Sequence, residues 1–433
     1  MGSEYRVTAD GTVLMAFKEM GEYIGAENRV AKDGLDWGFG LRRGITFPLF
    51  GDGIFTQGGR DWKHSRELLR LQSTYKQYEN LDIFRDHVNN LLLCMSDAEG
   101  KAVDLQPLYF RLTSDTTTAF LFGESIFSLK AGDREEKFEA AFNTAQRYVA
   151  KRSRLLDLYW LIGGKEFDNA CKDMHNFADE ILDRSLNPTD ETKIRDSRYI
   201  FLDANVKDSP NRMALRHQMM NILVAGRDTT ACLLSWTLFL LVRHPRVLDK
   251  LRNEIAASIA SEENIHRTQL KSLAYLNNVI KETLRLYPSV PVNQKTSLKT
   301  TVFPTGGGPD WHSPVLIPRG TSCAYSVYSL HRRKDLYGED AEGFRPERWE
   351  EDLGLYRDEV TRTWGYLPFN GEPRVCLGMD FALTEAAYTI VRIIHRFPIT
   401  KLPPDEPVVK TGKGKQIITL VISIGDGCNV VLE

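Results

Sequence analysis

The chain has 433 residues, 42% hydrophobic and 26% charged, enough to bury a large core and far from a disordered composition. A formal net charge of -2 gives no basic field to gather phosphates, which sets a nucleic-acid partner aside. Six cysteines with no Cys-x-x-Cys pair read as separate thiols of a reducing compartment, neither a metal cluster nor a disulfide framework.

Residues 1–60 are glycine-rich and mixed, with "LFGDGIFTQGGRDW" reading as turns before a helix that starts near Asp61. No apolar signal core follows "MGSEYR", and Arg6 stands where a myristoylation signal needs Ser or Thr. The longest mainly apolar run, Cys232–Val242, falls well short of the roughly 18 residues of a membrane span, so the chain as given reads as soluble. From Asp61 to about Val302 helical periods dominate. In "WKHSR", Trp62 and Arg66 stand at i, i+4, where an indole N–H and a guanidinium can point at one anionic group. Lys63 and Arg70 extend that face as a basic edge.

The clearest helix begins at "SPNRMALRHQ", with Ser209 placed to cap and Pro210 in the first turn, and runs to Val242 or Arg243 before Pro245. Its roughly 33 residues span about 50 Å, and a second half apolar on all sides predicts burial through the middle of the protein. "AGRDTT", Ala225 to Thr230, interrupts it. Gly226 costs about 1 kcal/mol relative to Ala, and Asp228, Thr229 and Thr230 put polar groups where helix carbonyls are the ready partners. Such a break is either a kink or helix contact, or an acid and an alcohol that move protons, with Gly226 leaving room for a small gas.

"KETLR" sets Glu282 and Arg285 at i, i+3, ordinarily a solvated pair of small worth. Here "LYPSVP" ends the helix, and roughly 60 residues later "FRPERW" offers Arg348 as a second cation for a buried network. Between Thr296 and Ala324 the signals change to short extended runs and turns. "FNGEPRVCLG" then places Cys376 just before Gly378 and a helix whose stripe is Leu383, Ala387, Ile390, Ile394 and Phe397. Backbone N–H groups and the positive helix end favour a thiolate. A lone cysteine is ordinarily a core residue, and no motif ties a histidine base to this one, but its neighbours each have a use if the sulfur ligates haem iron. Phe369 can shield it, Gly371 and Gly378 let backbone lie against a flat ring, and Arg374 can meet a propionate.

In this order, "WKHSR", "AGRDTT", "KETLR", "FRPERW" and "FNGEPRVCLG" resemble the cytochrome P450 monooxygenases, from about Trp37 to Glu433. The wording "ILVAGRDTTACLLSW" and "YSLHRRKDLYGEDAEGFRPERW" looks most like the fungal branch that hydroxylates n-alkanes and fatty acids; related fungal enzymes tailor secondary metabolites. The resemblance implies a mainly α fold with a minor β region, a long central helix over haem b, and a cysteine loop before a C-terminal helix. It implies Cys376 as axial iron ligand, propionate partners in Trp62, Arg66 and Arg374, with Lys295 where an arginine is usual, and Phe369 and Gly378 in the cysteine loop. Asp228 and Thr229 would deliver protons for oxygen–oxygen cleavage, and Glu282, Arg285 and Arg348 would fix the core beneath. Val224, Ala225, Val290 and Val292 would face a small apolar substrate. Electrons would come from an NADPH-cytochrome P450 reductase docking near Lys63 and Arg70, and the family sits on the cytosolic face of the endoplasmic reticulum membrane. Residues 36–433 would be the catalytic domain. Residues 1–35 match none of the family's anchor, hinge or first strands, as a shortened start would, and Glu372 stands where the loop has glycine. These two departures leave a non-oxygenating or inactive haem protein as the rival reading.

Overall fold

The computed structural model describes residues 5–7, 13–15, 37–72, 79, 81–122, 125–126, 128–130, 133–186, 211–262, 265–310, 312–371, 373–407 and 415–433. Ser209, Pro210 and Glu372 lie outside the described residues. The main helices are α1 (Arg42–Phe50), α2 (Gly59–Gln72), α3 (Asp82–Ser96), α4 (Leu105–Phe122), α5 (Asp133–Leu155), α6 (Lys165–Leu186), α7 (Arg212–Arg243), α8 (Pro245–Ser258), α9 (Ala274–Leu286) and α10 (Met379–Arg396).

The body forms around α7. Every residue from Thr230 to Val242 is buried, as its all-round apolar sequence predicts. The hydroxyls in that stretch turn back onto their own helix, Ser235 Oγ and Thr237 Oγ1 donating to the carbonyls of Ala231 and Leu233 at 2.7 Å. Trp236 donates Nε1–H to Ile422 O at 3.0 Å and stacks on Tyr287 with ring centroids 3.7 Å apart. One apolar cluster takes residues 231–242 together with α3, α8, α9 and α10, and a second takes Leu215–Val224 together with α1, α5 and α6. "AGRDTT" therefore stands at the joint between two cores. The helix starts later than the Ser209 expectation: Asn211 is its cap, with Oδ1 accepting the N–H groups of Met213 at 3.0 Å and Ala214 at 3.4 Å.

Helix α1 lies in a stretch that the sequence presents only as glycine-rich and mixed. Pro48 lies inside it and has no N–H for the carbonyl of Gly44. Arg152 of α5 fills that gap, donating Nη2 to Gly44 O at 3.2 Å and Nε to Ile45 O at 3.0 Å. A tertiary partner thus supplies what the local sequence withholds.

Twelve strands are described: β1 (Tyr5–Val7), β2 (Val13–Met15), β3 (Trp37–Gly38), β4 (Ala102–Asp104), β5 (Val292–Ser297), β6 (Thr301–Gly307), β7 (Ser313–Ile317), β8 (Ser322–Ser326), β9 (Thr400–Lys401), β10 (Gln416–Ile418), β11 (Ile422–Ile424) and β12 (Asn429–Leu432). The largest sheet runs β1-β2-β8-β5-β3. The expectation that residues 1–35 hold none of the first strands is corrected here: β1 and β2 pair antiparallel, and β2 lies parallel to β8 with Val13 opposite Cys323. Both are three-residue runs rich in strand-forming types around "TADGT", whose Asp-Gly is a hairpin signal too short to stand out from a glycine-rich background. β5 pairs antiparallel with β8, placing Lys295 opposite Cys323. Among the described residues no single helix is long and apolar enough to cross a membrane. The mainly α architecture with a minor β region is as the sequence predicts.

Candidate active site between the cysteine loop and the long helix

The cysteine loop closes on itself. Cys376 N–H donates to Phe369 O at 2.9 Å, and Arg374 N–H to Gly371 O at 3.1 Å. Asn370 takes φ +64°, a left-handed conformation open to Asn at a turn. Gly371 serves packing against Trp364, whose ring occupies the side where a Cβ would project, so the idea that it lies against a flat cofactor is corrected. A Cβ on Gly378 would meet the Cys376 sulfur at 3.9 Å and nothing else within 4 Å.

Cys376 is the exposed cysteine of the six, yet burial is the largest influence on its thiol. Both follow if the residue faces an enclosed space instead of bulk solvent. The thiol is pushed up, burial outweighing the Gly378 N–H and the Arg66 charge that pull it down. The helix-end effect is thus present but loses to desolvation.

Beside it lies a cluster of cations. Arg66 donates Nη1 to Val375 O at 2.9 Å, and Arg374 reaches the carbonyls of Ile54 at 3.5 Å and Gln57 at 3.3 Å. The Arg374 guanidinium lies 4.0 Å from the Trp62 ring centroid and 4.3 Å from that of Phe39. Lys295 Nζ and the Arg42 guanidinium reach the same Phe39 ring at 4.9 and 5.0 Å. Burial, then Arg42 and Arg66, push Arg374 down to about 9; burial, then Arg374 and Arg42, push Lys295 well down. Among the described residues no carboxylate figures in the charges acting on either. Phe39 and Arg42 were missed by sequence reasoning; the only trace was two arginines in a glycine-rich, mixed segment.

On α7, Thr229 Oγ1 donates to Ala225 O at 2.7 Å, and Thr229 O accepts from Ser289 Oγ at 2.9 Å. Asp228 faces the other way, to α5, accepting from Arg227 Nη1 at 2.6 Å and from Gln146 Nε2. Arg227 is itself held by Ser114 Oγ at 3.1 Å, Asn143 Oδ1 at 3.2 Å and the Glu139 carboxylate. Burial pushes the Asp228 carboxyl up, with Arg227 pulling it part of the way back. Gly226 serves the helix contact: a Cβ there would overlap the Thr117 side chain of α4, which corrects the idea that it leaves room for a gas. Val224 is buried in the second core cluster and Ala225 is half-buried. Val290 and Val292 are exposed, and Ser289, the neighbour of Val290, bonds to the carbonyl of Thr229.

The third constellation forms as expected. Glu282, Arg285 and Arg348 are fully buried. Arg285 meets both Glu282 oxygens, Nη2 to Oε1 at 2.8 Å and Nε to Oε2 at 2.9 Å, and Arg348 Nε joins Oε1 at 3.2 Å. Trp349 Nε1 adds a bond to Oε2 at 3.1 Å. Arg285 also donates to the carbonyls of His331 at 2.8 Å and Ala341 at 2.6 Å, so α9 pins the segment that leads to the cysteine loop.

The sequence profile described as Cytochrome P450 matches residues 44–422. A protein named Cytochrome P450 from Arthroderma benhamiae is 50% identical over 402 residues, 90% of this chain and 79% of its own length. Cytochrome P450 52A13 of Debaryomyces hansenii and Cytochrome P450 52A5 of Candida maltosa are each 42% identical, across 86% and 91% of this chain and 74% and 76% of theirs. A crystal structure of the cytochrome P450DA heme domain superposes with TM-score 0.78 over 98% of this chain and 87% of that one at 21% identity, a likeness of fold.

Proposed function

The chain belongs to the cytochrome P450 family of haem-thiolate monooxygenases, and on that premise we propose that it hydroxylates a long-chain apolar substrate, an n-alkane or fatty acid. Supporting the substrate class are the sequence wording shared with that fungal branch and the 42% identity to the two 52A relatives.

The observation that carries the site assignment is the cation cluster. Arg42, Arg66, Arg374 and Lys295 gather around Phe39 and Trp62, and Arg66 also donates to the carbonyl of Val375, next to Cys376. A donor set of that kind suits a bound dianion, and the two propionates of haem fit it. Haem, when bound, supplies the redox centre at which dioxygen is activated. Cys376 would hold the iron, as the thiolate that a metal ligand must be. The Gly378 N–H would hydrogen-bond that sulfur, and Phe369, whose carbonyl accepts the Cys376 N–H, would shield it from water.

Asp228, its carboxyl pushed up by burial, and Thr229, half-buried one residue on, are the acid and the alcohol. Asp228 must loosen from Gln146 to serve. Glu282, Arg285 and Arg348 take no part in proton movement and fix the backbone below. The exposed Lys63 and Arg70 of α2 offer an edge for the NADPH-dependent reductase.

With carbon monoxide, the reduced protein is expected to give the strongly red-shifted Soret band of thiolate ligation, lost in Cys376→Ser. An unshifted band in folded holoprotein would reject Cys376 as ligand. Substrate difference spectra across n-alkanes, fatty acids and polycyclic metabolites then test the substrate class, and the reading fails if only polycyclic compounds bind. Turnover that needs NADPH and reductase, and not hydroperoxide alone, separates oxygenation from hydroperoxide rearrangement.

A further inference from the structure

Residues 51–57 join α1 to α2, and polar side chains from the first turns of α7 take up that loop's amides. Asp52 N–H donates to His217 Nδ1 at 3.0 Å, Ile54 N–H to Gln218 Oε1 at 3.2 Å and Phe55 N–H to Asn221 Oδ1 at 2.9 Å. Asn221, fully buried, returns Nδ2 to Phe50 O at 2.9 Å. Gln218 Nε2 donates to Ser65 Oγ at 2.6 Å, and Ser65 Oγ to Gln57 Oε1 at 2.6 Å, so the grip reaches α2. Connecting loops ordinarily turn such amides to water; here a helix has grown acceptors for them. Two glycines permit the approach. Gly51, at φ +61°, would drive a Cβ into the His217 ring, and Gly53 would drive one into the Asn221 amide.

From the other side Arg374 holds the carbonyls of Ile54 and Gln57. The loop is therefore clamped between the helix that carries Thr229 and the loop that carries Cys376. Ile54 packs in the same apolar cluster as Val224, with Phe55 and Leu377 half-buried at its margin. Asn221 stands one turn before Ala225, on the same face of α7.

We propose that His217, Gln218 and Asn221 are positioning residues that hold residues 51–57 as a wall of the substrate chamber, and so set the size of apolar ligand admitted beside Cys376. This rests on the site assignment above and not on the identity of the natural substrate. The clamp lets the loop stay close without a helix or strand of its own, and loosening it widens the chamber.

The test is optical titration of the holoprotein with two nitrogen ligands of iron, imidazole and 1-dodecylimidazole, the first reading access to the metal and the second the chamber around it. In Asn221→Ala the long ligand is expected to bind about tenfold more weakly while imidazole stays within about twofold, the scale of one or two lost hydrogen bonds. Amide exchange at Phe55 should lose its protection. Gly53→Ala should reproduce the titration result, since it pushes the loop off Asn221. The double variant Gly53→Ala/Asn221→Ala should be no worse than either single, because removing the amide makes room for the methyl. Equal losses for both ligands, an unchanged ratio once the amide is deprotected, or additive effects in the double variant would each overturn the proposal while leaving the haem site standing. A wild-type holoprotein whose spectrum neither ligand shifts would overturn the haem site and the wall with it.

Discussion

Glu385 on α10 is fully buried, accepts one hydrogen bond from Thr116 Oγ1, and leaves Oε2 without a hydrogen-bond partner among the described residues. Burial pushes its carboxyl from the ordinary 4.5 up to about 8, only partly offset by Thr116. Its side chain is therefore neutral in the fold at pH 7 and ionised in the unfolded chain. The sign follows from linkage: the contribution to stability is whole below pH 4.5, falls as the unfolded carboxyl ionises, and levels off above pH 8. At about 1.4 kcal/mol per pH unit the cost is roughly 3 kcal/mol at pH 7 and approaches 5 kcal/mol above pH 8. Glu385→Gln keeps an acceptor for Thr116, has nearly the same volume, and cannot ionise in either state. It is expected to match the wild type near pH 4.5 and to exceed it by on the order of 3 kcal/mol at pH 7. Urea unfolding of the two holoproteins at half-unit steps from pH 5 to 8.5 measures this difference. Parallel stability curves for the two would refute the reasoning, because a carboxyl already ionised in the fold gives no such divergence.

Arg285→Ala leaves Glu282 buried with one cation fewer and is expected to cost roughly 3–5 kcal/mol in urea unfolding, with a lower yield of folded holoprotein. Arg42→Ala removes a cation that only the structure revealed; haem loss to an excess of an acceptor globin should quicken by about tenfold, and an unchanged rate would remove Arg42 from the site. Asp228→Asn should lower product formation by roughly 100-fold while the spectral shift on substrate binding persists, as for a proton donor that does not bind substrate. Gly226→Ala should cost about 1–3 kcal/mol by overpacking against Thr117, and Thr117→Ala in the same chain should recover most of it; no recovery would speak against the packing role.

The cysteine loop, the Glu282–Arg285–Arg348 network and the long central helix were all legible before any coordinates, because each is written in residue types whose local spacing has few physical meanings. Helix α7 is the clearest case: a run apolar on every side can only be buried. Two glycines show where that kind of reading stops. Gly226 and Gly371 were assigned to a gas and a cofactor, yet their missing Cβ atoms make room for Thr117 and Trp364. A sequence says that a side chain is absent, while the element that crosses there decides what the absence is for. Asp228 carries the same lesson in charge. Its type marked it as a proton donor, but beside its sequence neighbour Arg227 it is held by Gln146, a partner that the packing of α7 on α5 brings and no local spacing encodes.

By itself the sequence determined which chemistry the chain carries: one thiol at a helix end, an acid and an alcohol inside a buried helix, and an order of motifs that belongs to one family. Local spacing suffices for that, since each motif lies within about one or two helical turns. The tertiary structure alone decided what surrounds them. Arg42 joins the cations from a helix that Pro48 hides and Phe39 from the segment just before it, β1 and β2 reach the sheet from an unpromising start, and three side chains of α7 hold the loop at 51–57. All of these are contacts between segments far apart in the chain, fixed by burial and hydrogen bonding that only folding brings together.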